Sequence, residues 1–297
     1  MLAFNQLGNL GRLGNQMFEY AALRGISAKH NYEWCIPPYN AQSIENYSLH
    51  YCFKMEDVKE NNLQQRNVGY VQERFFHYDD QLVEKCPDDV SLHGFFQSEK
   101  YFKNAEDIIR REYTFHDEHL EPCKEIMEEF KDQEPIMLHV RRGDPNLTDP
   151  RGFKWAYTQC SSMHPPQTIE YYEKALAEFN DNQPVFVFSD SVEWVKEQKF
   201  FSGDRFLINE SVEQYSHKCM EGDGVYRNSF IPYTDLCLMS LCNGAIISPS
   251  TLSWWGAWLQ NPRTNPVVAP DPWFGPQLLK DNDTKDLLPD DWIKLSW

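Results

Sequence analysis

Two arginines, Arg141 and Arg142, leave the apolar run Ile136-Met137-Leu138-His139-Val140 and are followed at once by Gly143 and Asp144. Guanidinium groups at the end of a buried strand are costly unless they reach water or an anion, and their planar fork matches phosphate oxygens. An internal carboxylate would serve as well, and Asp144 is placed to pair with Arg142. The tripeptide Arg142-Gly143-Asp144 also has the composition of a cell-adhesion motif. Such motifs need an exposed loop tip, whereas this one directly follows a core strand.

Three further constellations could carry chemistry. In Gly8-Asn9-Leu10-Gly11-Arg12-Leu13-Gly14-Asn15, glycines at three-residue spacing lead from a short strand (Leu2 to Leu7) into a helix with Leu13, Met17 and Ala21 along one side. Glycines let a backbone approach a ligand closely, and a helix N-terminus favours phosphate; a plain tight turn would look the same. Phe188-Ser189-Asp190-Ser191 is a strand-to-helix turn in which Asp190 either caps the helix or accepts from the N1-H and amino group of a guanine. In Ser248-Pro249-Ser250-Thr251-Leu252-Ser253-Trp254-Trp255-Gly256, three hydroxyls at a helix start can donate to an anion or simply cap. Trp155 and Trp254 are candidates for an aromatic wall, although aromatic residues more often fill cores.

Metal chemistry finds no good context. Asp281-Asn282-Asp283 has the D-x-D form but no adjoining buried strand, and His116-Asp117-Glu118-His119 opens a charged helix. The eight cysteines include no C-x-x-C pair and are read as reduced.

Behind these residues stands a regular alternation in the second half. Strand-like runs at 136–140, 185–188, 206–208, 245–247 and 266–269 alternate with helices at 168–179, from Ser191, at 234–243 and from Ser250. Continuous apolar strands between helices imply a mostly parallel sheet covered on both faces, whose ligands bind at the carboxyl ends of the strands. His139, Asp190 and Ser248 to Ser253 all fall there. The first half is less regular, and a charged helical stretch from about Asp117 to Lys131 could join two domains, so the division is drawn as 1–133 and 134–297.

Composition limits the partners. Hydrophobic residues at 41% and charged ones at 25% describe a globular chain, and a net charge of -17 disfavours nucleic acid and anionic membranes. A phosphate-bearing ligand must then rely on locally concentrated basic residues. The chain has no long apolar run and no basic leader followed by an apolar stretch, which reads as cytoplasmic with no integral membrane segment.

Taken together, Gly11-Arg12-Leu13-Gly14-Asn15-Gln16-Met17-Phe18-Glu19-Tyr20-Ala21, the His-x-Arg-Arg-Gly-Asp at 139–144 and Ser253-Trp254-Trp255-Gly256-Ala257-Trp258-Leu259 resemble the signatures of bacterial-type alpha-1,2-fucosyltransferases. Pro166 to Ala175 and Tyr233 to Asn243 extend the likeness. The resemblance implies an α/β, GT-B-like fold of two Rossmann-like domains facing a cleft, the first on the acceptor side and the second binding GDP-fucose. It implies no cofactor and no metal, and fucosyl transfer with inversion to a galactoside in an oligosaccharide or glycan. By position, Arg141 would hold the beta-phosphate, His139 and Asp190 would face the guanine or its ribose, and Asn15 would approach the diphosphate. Ser250, Thr251 and Ser253 would support it, with Arg142 a second cation or a structural partner.

The base is the least defined role. Asp149 resembles in spacing the acidic residue that follows the same signature in related alpha-1,6 enzymes, and it ranks ahead of Asp144, the natural partner of Arg142. The long stretch from Pro145 to Pro165 departs from the family pattern and bears on acceptor and linkage. A fucosyltransferase of another linkage, alpha-1,6-like, and a non-catalytic sugar-nucleotide or glycan-binding protein are the alternatives.

Overall fold

The computed structural model describes residues 1–38, 48–55, 58–59, 68–143, 161–209 and 232–297. Two compact units divide the chain: Met1–His116 with Asn282–Asp290, and Asp117–Asp281 with Asp291–Trp297.

In the first unit, β1 (Leu2–Ala3), β2 (Trp34–Cys35), β3 (Gly69–Gln72) and β4 (Val90–His93) form a parallel sheet in the order β2-β1-β4-β3. The strand read over Leu2 to Leu7 is shorter than its apolar run, because the chain turns after Ala3 through hydrogen bonds such as Leu7 N–H to Phe4 O. The helix Leu13–His30 buries Leu13, Met17 and Ala21, but it also encloses Gln16, Glu19 and Arg24. Its polar interior is mostly matched. Arg24 donates to both oxygens of Glu112 at 2.9 Å while lying 4.0 Å over Trp34, and Tyr20 Oη adds a bond to the same carboxylate. Asn31, in the left-handed region, ends the helix.

The second unit holds β5 (Ile136–Val140), β6 (Val185–Ser189), β7 (Phe206–Ile208), β8 (Ala245–Ile246), β9 (Val267–Pro270) and β10 (Ile293–Leu295) in the all-parallel order β10-β9-β8-β5-β6-β7. β5 and β6 are buried throughout, as continuous apolar runs between two layers of helices should be. Helices Ile169–Leu176, Val192–Glu197, Tyr233–Leu241 and Thr251–Leu259 lie where the hydrophobic period places them.

The helix Asp117–Glu128, read from sequence as a connector, belongs to the second unit and packs against Tyr233–Leu241, with Cys123 Sγ donating to Thr234 O. Its buried His119 and Cys123 commit it to that unit, so the contact division falls after His116, and the segment 282–290 rejoins the first unit. Cys35, Cys52, Cys86, Cys123, Cys237 and Cys242 are buried and outside any disulfide. Among the described residues no helix is long and apolar enough to cross a membrane.

Candidate functional site

The register of the central strands sets the site. His139 pairs with Phe188 and Val140 with Ser189, so Arg141 and Asp190 leave neighbouring parallel strands side by side. Asp190 Oδ2 accepts from Arg141 Nη1 and from the Gly143 backbone N–H at 2.9 Å, while Oδ1 accepts from the Arg142 N–H at 2.9 Å. Ser191 Oγ then donates to Gly143 O at 2.8 Å. The turn after β5 is thereby fixed from the end of β6.

This arrangement differs from the sequence reading of Asp190. It caps no helix; the protein supplies three donors to its carboxylate, because the parallel register aims the turn's N–H groups at that side chain. Asp190 is a positioning residue for Arg141. Among the described residues Arg142 has these partners. Its guanidinium lies 3.8 Å over the Trp194 ring, and Nη1 donates to Gln167 O at 3.4 Å. Asp144 and Asp149, the two candidates for the base, lie outside the described residues, as does Trp155.

His139 is buried on β5, its carbonyl accepting from Ser248 Oγ at 2.5 Å, which links the ends of β5 and β8. Its Nδ1 is buried without a hydrogen-bond partner among the described residues. Burial, and secondarily the charge of Arg141, lowers its pKa to about 3, so the ring is neutral at physiological pH. A neutral imidazole with an unmatched nitrogen suits a polar ligand better than an apolar core does.

The hydroxyl cluster separates into two kinds. Ser253 is fully buried and its Oγ donates to Ser248 O (3.3 Å) and Ser250 O (3.2 Å), so the anion-binding role read for it gives way to bracing of its own turn. Ser250 stands in the N-cap position of Thr251–Leu259 without making a side-chain cap bond, and both Ser250 and Thr251 are half-buried. Trp254 has no exposed surface and packs on Trp255, Trp258 and Trp292. It is core, and the aromatic-wall reading fails for it, because the other tryptophans enclose its ring.

In the first unit Asn15 opens the helix after the glycine loop, and its Oδ1 accepts from Gln97 Nε2 at 3.1 Å. Gly11 has φ +82, and a Cβ there would come 2.2 Å from Asn15 Nδ2, so glycine is required for this side chain to lie against the loop. In the two metal-like groupings, Asp283 pairs with Lys285 at 3.0 Å, and His116 Nε2 bonds His50 O at 2.8 Å.

Three contributors were not singled out from the sequence. Trp194 reads as a core residue of a short helix, and Ser248 as one hydroxyl among several. His164 lies far along the chain, yet its ring meets Phe274 edge-on at 5.7 Å, and its pKa is lowered by burial and then by the field of Arg141. The pairing of 161–165 with 274–277, through Gly275 N–H to Met163 O and Gln277 N–H to Ser162 O, brings it there. No local motif announces that contact.

The model of the family described as Glycosyl transferase family 11 matches residues 3–296. The chain is 27% identical to the Alpha-1,2-colitosyltransferase of Escherichia coli, over 96% of each chain. It is 24% identical to Galactoside alpha-(1,2)-fucosyltransferase 1 of Homo sapiens, over 84% of this chain and 63% of that protein's length. Among solved structures, fucosyltransferase NodZ from Bradyrhizobium superposes with a TM-score of 0.52 at 12% identity, over 86% of this chain and 90% of that one, which supports a GT-B-like α/β fold. With the family match running through both units and across the Arg141–Asp190 clasp, the chain is a glycosyltransferase and belongs to glycosyl transferase family 11.

Proposed function

We propose that the protein transfers an L-fucosyl group from GDP-fucose to a galactoside hydroxyl, forming an alpha-1,2 linkage with inversion and without a metal ion. The observation that carries this reading is Arg141, fixed by Asp190 at the carboxyl end of β5 in a chain of this family. As the bond to the leaving group breaks, charge grows on the beta-phosphate. A guanidinium already oriented by Asp190 can answer it without reorganising, since one carboxylate contact does not exhaust five N–H donors. His139 offers a neutral polar edge for the guanine or ribose, and Ser250, Thr251 and the helix start after them supply donors to the diphosphate. Arg142, stacked on Trp194, adds positive potential.

A second donor is favoured by one observation: the relative matched over 96% of each chain is a colitosyltransferase. The experiment is a product assay with GDP-fucose and with a GDP-linked colitosyl donor, each offered a beta-galactoside, with the linkage read by NMR. Fucosyl product at the 2-hydroxyl supports the reading; product from the colitosyl donor alone replaces the sugar but keeps the site; no product from either removes the transfer reading.

A further inference from the structure

A carboxylate and an open aromatic ring meet at the carboxyl edge of the first unit's sheet, where parallel strands receive their ligands. Glu73 directly follows β3, and its carboxylate accepts from the backbone N–H groups of Phe95 (2.7 Å) and Phe96 (3.0 Å) in the loop after β4. The close approach is built in. Gly94 has φ +148, and a Cβ there would come 2.3 Å from the Glu73 Cβ, so only glycine lets the two strand ends close.

A turn clasp would need no more than these bonds. Yet Glu73 is half-buried rather than enclosed, and each of its oxygens holds one N–H, which leaves lone pairs for further donors. Phe95, whose own N–H meets the carboxylate, is 38% exposed. The ring of Phe75, also exposed, is stacked on His77 at 4.9 Å with the Arg74 guanidinium 5.4 Å from its centre, whereas among the described residues no ring covers Phe95.

The charge at this spot has no counter-ion. Among the described residues no cation pairs with Glu73, and the adjacent Arg74 is held by both oxygens of Asp79 at 2.7 Å. Glu19, fully buried and in the field of Glu73, has its pKa raised well above the usual range by burial and then by that charge, so it stays neutral. A negative site repels an acid. A carboxylate with spare lone pairs beside an apolar ring matches a neutral sugar, with hydroxyls toward the oxygens and C–H groups toward the ring.

We propose that the first unit carries, at Glu73 and Phe95, a binding site for a neutral hexopyranoside that discriminates against acidic sugars. The site lies within that unit alone. Glu73 accepts from sugar hydroxyls, Phe95 supports the apolar face of the ring, and the unpaired carboxylate repels a uronic acid or a sialylated glycan. The galactoside used as probe rests on the transfer reading above; the site itself does not depend on it.

The test is saturation-transfer NMR on the full chain without nucleotide, titrating methyl beta-galactoside against methyl beta-galacturonide, in which a carboxylate replaces the hydroxymethyl group. The titration runs at about pH 8.5, above the value of about 7 to which burial raises Glu73, so that the carboxylate is charged. Wild type should bind the galactoside about tenfold more tightly than the galacturonide. Phe95→Ala should weaken the galactoside by about tenfold. Glu73→Gln keeps an amide oxygen for one of the two N–H groups and should narrow the ratio between the sugars to about twofold, a change that a purely structural clasp would not produce. No binding of the galactoside to wild type, equal binding of both sugars, or a ratio unchanged in Glu73→Gln overturns the site. Should Glu73→Gln fail to fold by its melting curve, unaltered galactoside binding in Phe95→Ala overturns it instead. Sugar transfer by a wild type that shows no such binding overturns the site and leaves the transfer reading standing; binding without transfer does the reverse.

Discussion

The carboxylate of Asp190 holds the Arg141 guanidinium and, through two backbone N–H groups, the turn that carries it. Asp190→Ala should therefore cost both affinity and stability. Bonds to a charged, buried acceptor are worth about 1.5–3 kcal/mol, and removing the acid leaves Arg141 unoriented. In a thermal-shift series, the variant should lower the melting temperature and lose most of the GDP-induced rise. Arg141→Lys should lose the rise while keeping more of the stability, because a point charge still pairs with Asp190 but lacks the fork.

Ligand preference separates nucleotides. GDP at a hundredfold excess over its dissociation constant should stabilise by about 2.7 kcal/mol, with UDP and CMP far weaker. EDTA should leave transfer unchanged, since Arg141 and backbone donors answer the phosphate charge. Loss of activity on chelation, restored by manganese, would instead assign a metal.

His139 makes the second unit acid-sensitive. Its pKa is near 6.5 unfolded and about 3 folded, so between these values the unfolded state binds more protons and stability falls as pH falls. The slope approaches about 1.4 kcal/mol per pH unit for one group. Glu73, raised to about 7, works in the opposite sense in the first unit, its contribution being lost as pH rises through that value. The difference between His139→Phe and wild type isolates the histidine: it should grow in favour of the variant from about pH 6 downward in urea unfolding curves. A constant difference would remove His139 as the cause.

Glu19 is buried without a partner among the described residues, and burial followed by the charge of Glu73 raises its pKa well above the usual range. Glu19→Met should stabilise the protein by about 1–3 kcal/mol, the desolvation cost of the unmatched carboxyl. Denaturant midpoints measure it. A loss of stability would mean that a hydrogen-bond partner satisfies the Glu19 carboxyl.

Much of the second unit is legible in the chain because its signals are local. Val185-Phe186-Val187-Phe188 and Ile136-Met137-Leu138-His139-Val140 are apolar on every position, which only a strand covered on both faces tolerates, and the helices between them carry their own period. The first unit was hard to read for the opposite reason. Its strands are two to four residues long, and β3 is mostly exposed, so no alternation can accumulate.

For the candidate site, residue types alone singled out Arg141, His139 and Asp190, and the structure places them at one strand edge. What sequence could not decide is which donors meet which acceptors. That depends on the β5–β6 register, which turns Asp190 onto Arg141 and the turn, and on the stacking of Arg142 over Trp194, more than fifty residues away. The carboxyl environment of Glu73 lay beyond reach for the same reason: its donors sit on the loop after β4 and its buried neighbour on the first helix. Local propensity and hydrophobic period are written along the chain, whereas hydrogen-bond partners and desolvation arise only when distant segments close on each other, so tertiary structure alone decided them.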